Sequence, residues 1–277
     1  VSSEEQILEK FLEDLDNSRL VLPTLPEVAL RVRDAVDNEQ ANAAEIAKIV
    51  GTDVALSARL LQVANSPLYR ARNPIESMQT AIMRLGNTQV RNLVSSLVMQ
   101  QMFQATSDAL DHMMRQVWEH STQVASISYV IAATAGLEKD QAMLAGLIHD
   151  IGTLPILVEA EDIDELREDE ELLQRVITKL HTIIGSKILS TWDFPQSLID
   201  VAGQHENLDR DPGGPADLVD VVIVANLQSY LGTDHPYTKL DWNEIPAFRR
   251  LGIAPDVNII EVEELAEQVQ EVQAMLA

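Results

Sequence analysis

An all-α protein built as a multi-helix bundle is what this sequence of 277 residues predicts, for three reasons. Apolar residues make up 46% of the chain but aromatics only 4%, so the core must come from Leu, Ile, Val, Ala and Met, a composition that favours helices. Segment after segment repeats apolar residues at helical spacing. Between those segments stand the Asn, Asp, Ser, Gly and Pro residues that start and stop helices.

Length allows one large or two modest domains with a substantial core. The apolar runs read as shorter than the roughly 18–20 residues that span a bilayer, and no secretory pattern opens the chain. There is no Cys, hence no disulfide and no thiolate ligand. The expectation is a soluble cytoplasmic protein. Net charge is −24 and unevenly spread: residues 1–104 carry 10 basic and 13 acidic groups, residues 105–277 carry 10 and 31. Such a field repels phosphate backbones, so a general nucleic-acid binder is not expected.

In chain order, residues 4–16 read as an acidic helix with Ile7, Leu8, Phe11, Leu12 and Leu15 on one face. Pro23 and Pro26 hold the next stretch extended, and Pro26 can start a helix to about Val36. Asn42-Ala43-Ala44-Glu45 has the form of a capping box, opening a helix that stops at Gly51. A helix from Asp53 to Ala64 follows, with Asn65 and Ser66 as structural end groups. Ser77 caps Met78 to Leu85, Gly86 is its left-handed terminator, and Asn87 caps a long apolar helix to Met102.

Between Arg59 and Arg91 lie five Arg, among them Arg70 and Arg72, and a single acid, Glu76. This is either a solvated face or a contact surface for an acidic partner or the chain's own acidic half. Residues 45–64 also have the outline of a helix-turn-helix. Its second helix offers only Arg59 and Gln62 to bases, so DNA binding is disfavoured.

Further on, a helix runs from Asp108 past Trp118 and His120 to Ala133, ending at Gly136, and another from Asp140 carries His149-Asp150. The acidic run 159–171 reads as a solvated face or loop. One helix around His181 ends near Trp192, and Pro195 opens another to His205. Asp211-Pro212-Gly213-Gly214-Pro215 breaks the chain before an apolar helix, Ala216 to Tyr230. Asn258 to Leu276 bears a stripe of Ile259, Val262, Leu265, Val269, Val272 and Met275, to pack on its own domain or on a second subunit. Trp118 and Trp192 read as packing residues, His112 and His235 as surface residues.

The candidate site is Ala145-Gly146-Leu147-Ile148-His149-Asp150-Ile151-Gly152, an imidazole and a carboxylate inside an apolar run. Burying both is costly unless each finds a partner. His120, His181 and His205 lie in three other apolar helical patterns, so four of the six His can converge in one core. Imidazoles with one carboxylate suit zinc, iron, nickel or manganese. Chemistry, a passive metal and a hydrogen-bonded relic are three open uses of such a cluster.

Several motifs occur together: Leu22-Pro23-x-Leu25-Pro26, Glu45-Ile46-Ala47-x-Ile49-Val50, Asp53-x-x-Leu56-Ser57-x-x-Leu60-Leu61-x-x-Ala64-Asn65-Ser66 and Ala81-Ile82-x-x-Leu85-Gly86. In this order and spacing the chain resembles the bacterial HDOD domain over about residues 20–215. One departure is Val54, where that family commonly has Pro. The resemblance implies a helical signalling or output module related to HD-type metal phosphohydrolases. It divides the chain into an N-terminal helix (1–19), an HDOD domain (20–104 and an HD-like bundle, 105–215) and C-terminal helices packing on the bundle (216–277).

In the HD superfamily a His, a His-Asp dyad, sometimes two more His, and a distal Asp hold one or two divalent metals. Carried over, His120 matches the first His, His149-Asp150 the dyad, and His181 and His205 the additional His. The distal Asp falls in 222–227, where this chain has the neutral Asn226. Cyclic-dinucleotide phosphodiesterases of the HD-GYP type carry Lys where this chain has Thr153, a Gly-Tyr-Pro signature where it has 211–215, and paired His where it has Gln204-His205. The resemblance therefore implies a signalling module with a protein partner, its N-terminal helices as docking surface, and little or no hydrolase activity. The alternative is a metal-dependent phosphohydrolase using His120, His149 and Asp150, with Asp150 catalytic. A DNA-binding regulator is third. No membrane is expected as a partner.

Overall fold

In the computed structural model, helices start where capping residues stand in the sequence. No strand occurs among the described residues, which are 3–38, 41–69, 73–103 and 107–277. The first six helices are α1 (Ser3–Asp16), α2 (Glu27–Asp37), α3 (Ala43–Val50), α4 (Val54–Ala64), α5 (Met78–Leu85) and α6 (Asn87–Met99). Asn42 opens α3 with the reciprocal pair expected of it. Its side chain accepts from the Ala44 and Glu45 amides, and Glu45 accepts from the Asn42 amide. Asp53 and Ser77 cap α4 and α5.

Two local expectations change. Gly86 has φ +84° but ψ 156°, an extended glycine conformation rather than a left-handed helical one. Asn87 is the first residue of α6, not its cap. With one residue between the helices, Gly86 serves both ends: its amide donates to Ile82 O and its carbonyl accepts from Val90 N.

The remaining helices are α7 (Asp108–Ala135), α8 (Lys139–Ile148), α9 (Thr153–Ala160), α10 (Asp164–Glu168), α11 (Glu170–Thr191), α12 (Gln196–Gln204), α13 (Leu218–Ser229), α14 (Pro246–Leu251) and α15 (Glu263–Leu276). The centre of the bundle is α8, buried from Ala142 to Ile148 and packed against α7, α6, α12 and α13. Gly146 makes the closest of these approaches possible, since a Cβ there would stand 2.7 Å from Ala125 Cα on α7. The stretch Lys139–Ala160 has the length and hydropathy of a membrane span, contrary to the expectation that no run reaches that length, and 83% of its most apolar 18-residue window is buried inside the bundle.

The His149-Asp150 pair is not inside a helix. α8 ends at Ile148, His149 is its C-cap, and the chain turns at once into α9 through bonds from Ile151 N to Ile148 O and from Thr153 N to Asp150 O. The turn fits because residue 152 is Gly. A Cβ there would fall 1.9 Å from His181 O and 2.5 Å from Gly185 N on α11.

The chain ends dock on this frame. α1 lies on α11, burying Ile7, Phe11 and Leu15 and pairing Glu4 with Arg175 and Lys179, while Leu12 leaves the predicted stripe for solvent. α15 packs on α7 through Val269, Val272 and Leu276, so the C-terminal stripe covers its own bundle, and Val262 lies outside it, exposed before the helix starts. The segment between α13 and α14 holds two short 3-10 turns, Pro236–Lys239 and Trp242–Glu244, that periodicity did not anticipate. Trp242 stacks on Phe248, and Arg250 donates to the fully buried Asp220 at 2.9 Å.

The basic patch is distributed among partners rather than displayed. Arg59 donates to the carbonyls of Leu97 and Met275, and Arg91 pairs with Asp37, while Arg70 and Arg72 lie outside the described residues. Trp118 packs on Phe103, and Trp192 on Phe194 with its indole N–H donating to Pro23 O. Asn65 is structural, bridging Leu61 O and both backbone groups of Ile75.

The two glycines at the α9–α11 contact give a paired prediction. Gly152→Ala should cost about 3 kcal/mol or more of unfolding free energy, because backbone must move. Gly185→Ala, whose Cβ would meet nothing closer than Ala202 Cβ at 3.4 Å, should stay within about 1 kcal/mol of wild type. Urea denaturation midpoints of the two variants measure the difference.

Candidate metal centre

Four helices each deliver one imidazole to a single carboxylate. His120 comes from the middle of α7, His149 from the end of α8, His181 from α11 and His205 from the end of α12. Asp150 divides its oxygens between them. Oδ2 stands 3.3 Å from His149 Nε2 and 3.6 Å from His120 Nε2. Oδ1 stands 3.2 Å from His205 Nε2 and 3.5 Å from His181 Nε2, and those two nitrogens are 3.3 Å apart. All five sequence-predicted residues are thus brought together, in two groups that share Asp150.

The backbone decides which ring nitrogen faces inward. His149 Nδ1 lies 2.6 Å from Gly146 O, His181 Nδ1 2.8 Å from Ile177 O, and His205 Nδ1 3.0 Å from Val201 O. A carbonyl only accepts, so each Nδ1 carries a proton and each ring turns its Nε2 toward Asp150, as a lone pair in a neutral ring and as a donor in a protonated one. Lone pairs facing an anion repel unless positive charge lies between them. His149 Nε2 is 3.3 Å from Asp150 Oδ2 but off the hydrogen-bond direction, and neither it nor His120 Nε2 has a hydrogen-bond partner.

Protonation differs across the cluster. Burial pushes the Asp150 carboxyl up, but the His149 and His205 imidazoles outweigh it and hold the group well below the usual carboxylate range. Burial and the neighbouring His149 push His120 down to about 4. Burial also lowers His181, whereas the Asp150 hydrogen bond outweighs burial at His205 and raises it.

The donor set fits divalent ions. Two atoms bound about 2.1 Å from one tetrahedral ion stand about 3.4 Å apart. Asp150 already stands 3.2–3.6 Å from each of the four Nε2 atoms, and within each group of three the donor atoms lie within 4.8 Å of one another. Imidazole with carboxylate suits zinc, iron, nickel or manganese.

Sequence reasoning missed Tyr230. Its ring stacks on His120 at 5.2 Å, and its other face stacks on His235 at 3.6 Å, so His235 is half-buried against the centre rather than a surface residue. Helical periodicity carries no sign of this, because Tyr230 lies just past the end of α13. His112 is exposed, as expected. Asn226 is buried one turn before Tyr230, on the same face, and its Oδ1 has no partner.

A pocket of about 700 Å³ opens onto His120 and Asp150. It is lined by the apolar Met113, Val117, Leu157, Leu166, Leu173 and Ile177 and by the polar His112, Gln116, Thr153, Glu170 and Gln174. Arg167 is the one Arg or Lys among its described lining residues, and it is held by Asp164 and by Glu161 O.

The HDOD domain family model matches residues 22–208. This chain belongs to the HDOD family. Among solved structures, a Shewanella amazonensis protein provisionally described as a metal-dependent phosphohydrolase is 29% identical, with a TM-score of 0.87 over 100% of both chains. An HDOD domain protein of unknown function from Geobacter sulfurreducens is 24% identical, with a TM-score of 0.65 over 98% of this chain and 96% of its own. An uncharacterized Treponema pallidum protein is 24% identical over 243 residues, 82% of this chain; the chain spans about half of that relative, 46% of its length.

If the HDOD centre takes divalent ions, manganese or zinc at a hundredfold its dissociation constant should stabilise the fold by about 2.7 kcal/mol. Asp150→Asn should abolish that gain. Thermal melts with and without added metal, compared with EDTA, measure it.

Proposed function

We propose that this HDOD domain binds two divalent metal ions and hydrolyses a phosphate ester at that centre as part of a signalling process. The observation that carries the reading is a half-buried carboxylate ringed by four imidazole Nε2 atoms, two of them without any hydrogen-bond partner. His120 and His149 would hold one ion, His181 and His205 the other, with Asp150 shared. Ions bound there would polarise a phosphoryl oxygen and make water acidic enough to attack at neutral pH. The carbonyls of Gly146, Ile177 and Val201 keep three rings aimed, and Tyr230 braces the fourth. The description of the Shewanella amazonensis protein supports the same chemistry.

The pocket argues for a substrate class. Polyphosphates are gripped by Arg and Lys, yet the only such lining residue among those described is already paired. Nucleobases are gripped by free aromatic faces. Both faces of Tyr230 are taken by His120 and His235. This favours a phosphate ester with one phosphoryl group and a partly aliphatic body, met by six apolar side chains and by His112, Gln116, Glu170 and Gln174.

A second reading rests on Asn226. It places a neutral amide where HD enzymes carry the distal carboxylate, which favours a regulatory module that binds its ligand without efficient turnover. In this reading the N-terminal helices meet a protein partner, and Val54 and Met83, 81% and 69% exposed on α4 and α5, support that role.

Turnover of an n-alkyl phosphate with added manganese is the expected result, and Asp150→Asn should lower it on the order of a thousandfold. Each added methylene should raise kcat/KM about fourfold until the pocket is full. Asn226→Asp should raise the rate roughly tenfold if the missing carboxylate limits catalysis. Wild-type protein that binds metal but turns over only as Asn226→Asp would favour the regulatory reading.

A further inference from the structure

The centre has one carboxylate for two ions, and a second lies beside it. Glu206 follows His205 directly, and its Oε1 stands 3.7 Å from His205 Nε2, close to the 3.2–3.6 Å that separates Asp150 from the four imidazoles. Its Oε2 accepts from the Tyr237 hydroxyl. Among the described residues no Arg or Lys pairs with Glu206, whose side chain is 31% exposed. Its charge is felt at His205, His181, Tyr230 and His235, so the carboxylate faces the same space as the cluster. Asp150 and Glu206 thus flank His205 Nε2, at 3.2 and 3.7 Å, and a cation on that side would be attracted by both carboxylates.

Tyr237 reaches Glu206 from the 3-10 turn Pro236–Lys239, beyond the residues 22–208 that the family model matches. That turn is anchored: Trp242 Nε1 donates to Tyr237 O at 2.8 Å, and the Tyr237 ring stands edge-on to His235 at 4.7 Å and to Tyr230 at 6.0 Å.

We propose that Glu206 is a further metal ligand on the His181–His205 side of the centre, supplying the negative charge that Asn226 does not, and that Tyr237 positions it. The inference rests on the metal-binding reading above. It makes the C-terminal segment part of the site. The Tyr237 hydroxyl donates to the carboxylate oxygen that faces away from His205, and the other oxygen stays free to bind.

The test uses the full chain, titrated with manganese by calorimetry and with cobalt by its visible spectrum. Wild type should take up two ions. Glu206→Gln should leave one step unchanged and weaken the other by roughly tenfold or more, with a changed cobalt spectrum at that step. Tyr237→Phe should weaken the same step about tenfold, as lost outer-shell partners do. Asn226→Asp placed in the Glu206→Gln background should restore it. Circular dichroism reports whether each variant folds. Two wild-type steps that survive unchanged in Glu206→Gln would overturn this inference alone; a wild-type chain that takes up no ion would overturn the metal-binding reading and this inference with it.

Discussion

The Asp150 carboxylate, facing the Nε2 atoms of four imidazoles from four helices, is the contact around which the bundle is arranged. Each ring already gives its other nitrogen to its own helix backbone, or leans on Tyr230, so none can turn away. The result is a concentration of ring nitrogens around one half-buried carboxylate. A protein interior holds such an arrangement only where positive charge is supplied. Among the described residues no Lys or Arg stands against Asp150, so the positive charge must come from protons or from bound cations.

The rest of the fold makes that geometry reachable. His149 and Asp150 sit in a turn, and the turn must press against α11 to bring His181 into range. Gly152 permits this because no side chain stands between the two backbones. Gly146, six residues earlier, does the same against α7, where His120 resides. Close backbone approach on both sides of one helix end leaves little freedom in the distance between the rings. The buried surface of α8 and α13 then holds the arrangement through ordinary apolar packing.

Charge is handled differently at the centre and at the surface. The chain carries 44 acids against 20 bases, and the bases are mostly engaged in structural pairs. Arg210 and Arg250 neutralise the buried Asp220, and Arg59 joins α4 to α6 and α15 through carbonyls. The pocket mixes apolar side chains with Gln116, Glu170 and Gln174, and the one guanidinium among its described lining residues is already paired. A site of this kind selects ligands by shape and by the ions it holds, not by a field that attracts polyanions.

Much of this was legible in the chain itself. Helix starts at Asn42, Asp53 and Ser77 depend on side chains that bond amides two or three residues away, and such local chemistry is visible in sequence. The same is true of the apolar stripes of α1 and α15, which need only a periodicity. His120, His149, Asp150, His181 and His205 were identifiable as candidates because imidazoles rarely sit in apolar helical patterns. Only the tertiary structure decided that they share one carboxylate, since a period assigns a face and never a distance. It alone brought in Tyr230, His235, Glu206 and Tyr237, which sit at helix ends and short turns where no periodicity exists. It also set the His-Asp pair in a turn rather than a helix. A close contact between α9 and α11 requires that turn, and this contact joins residues about thirty positions apart.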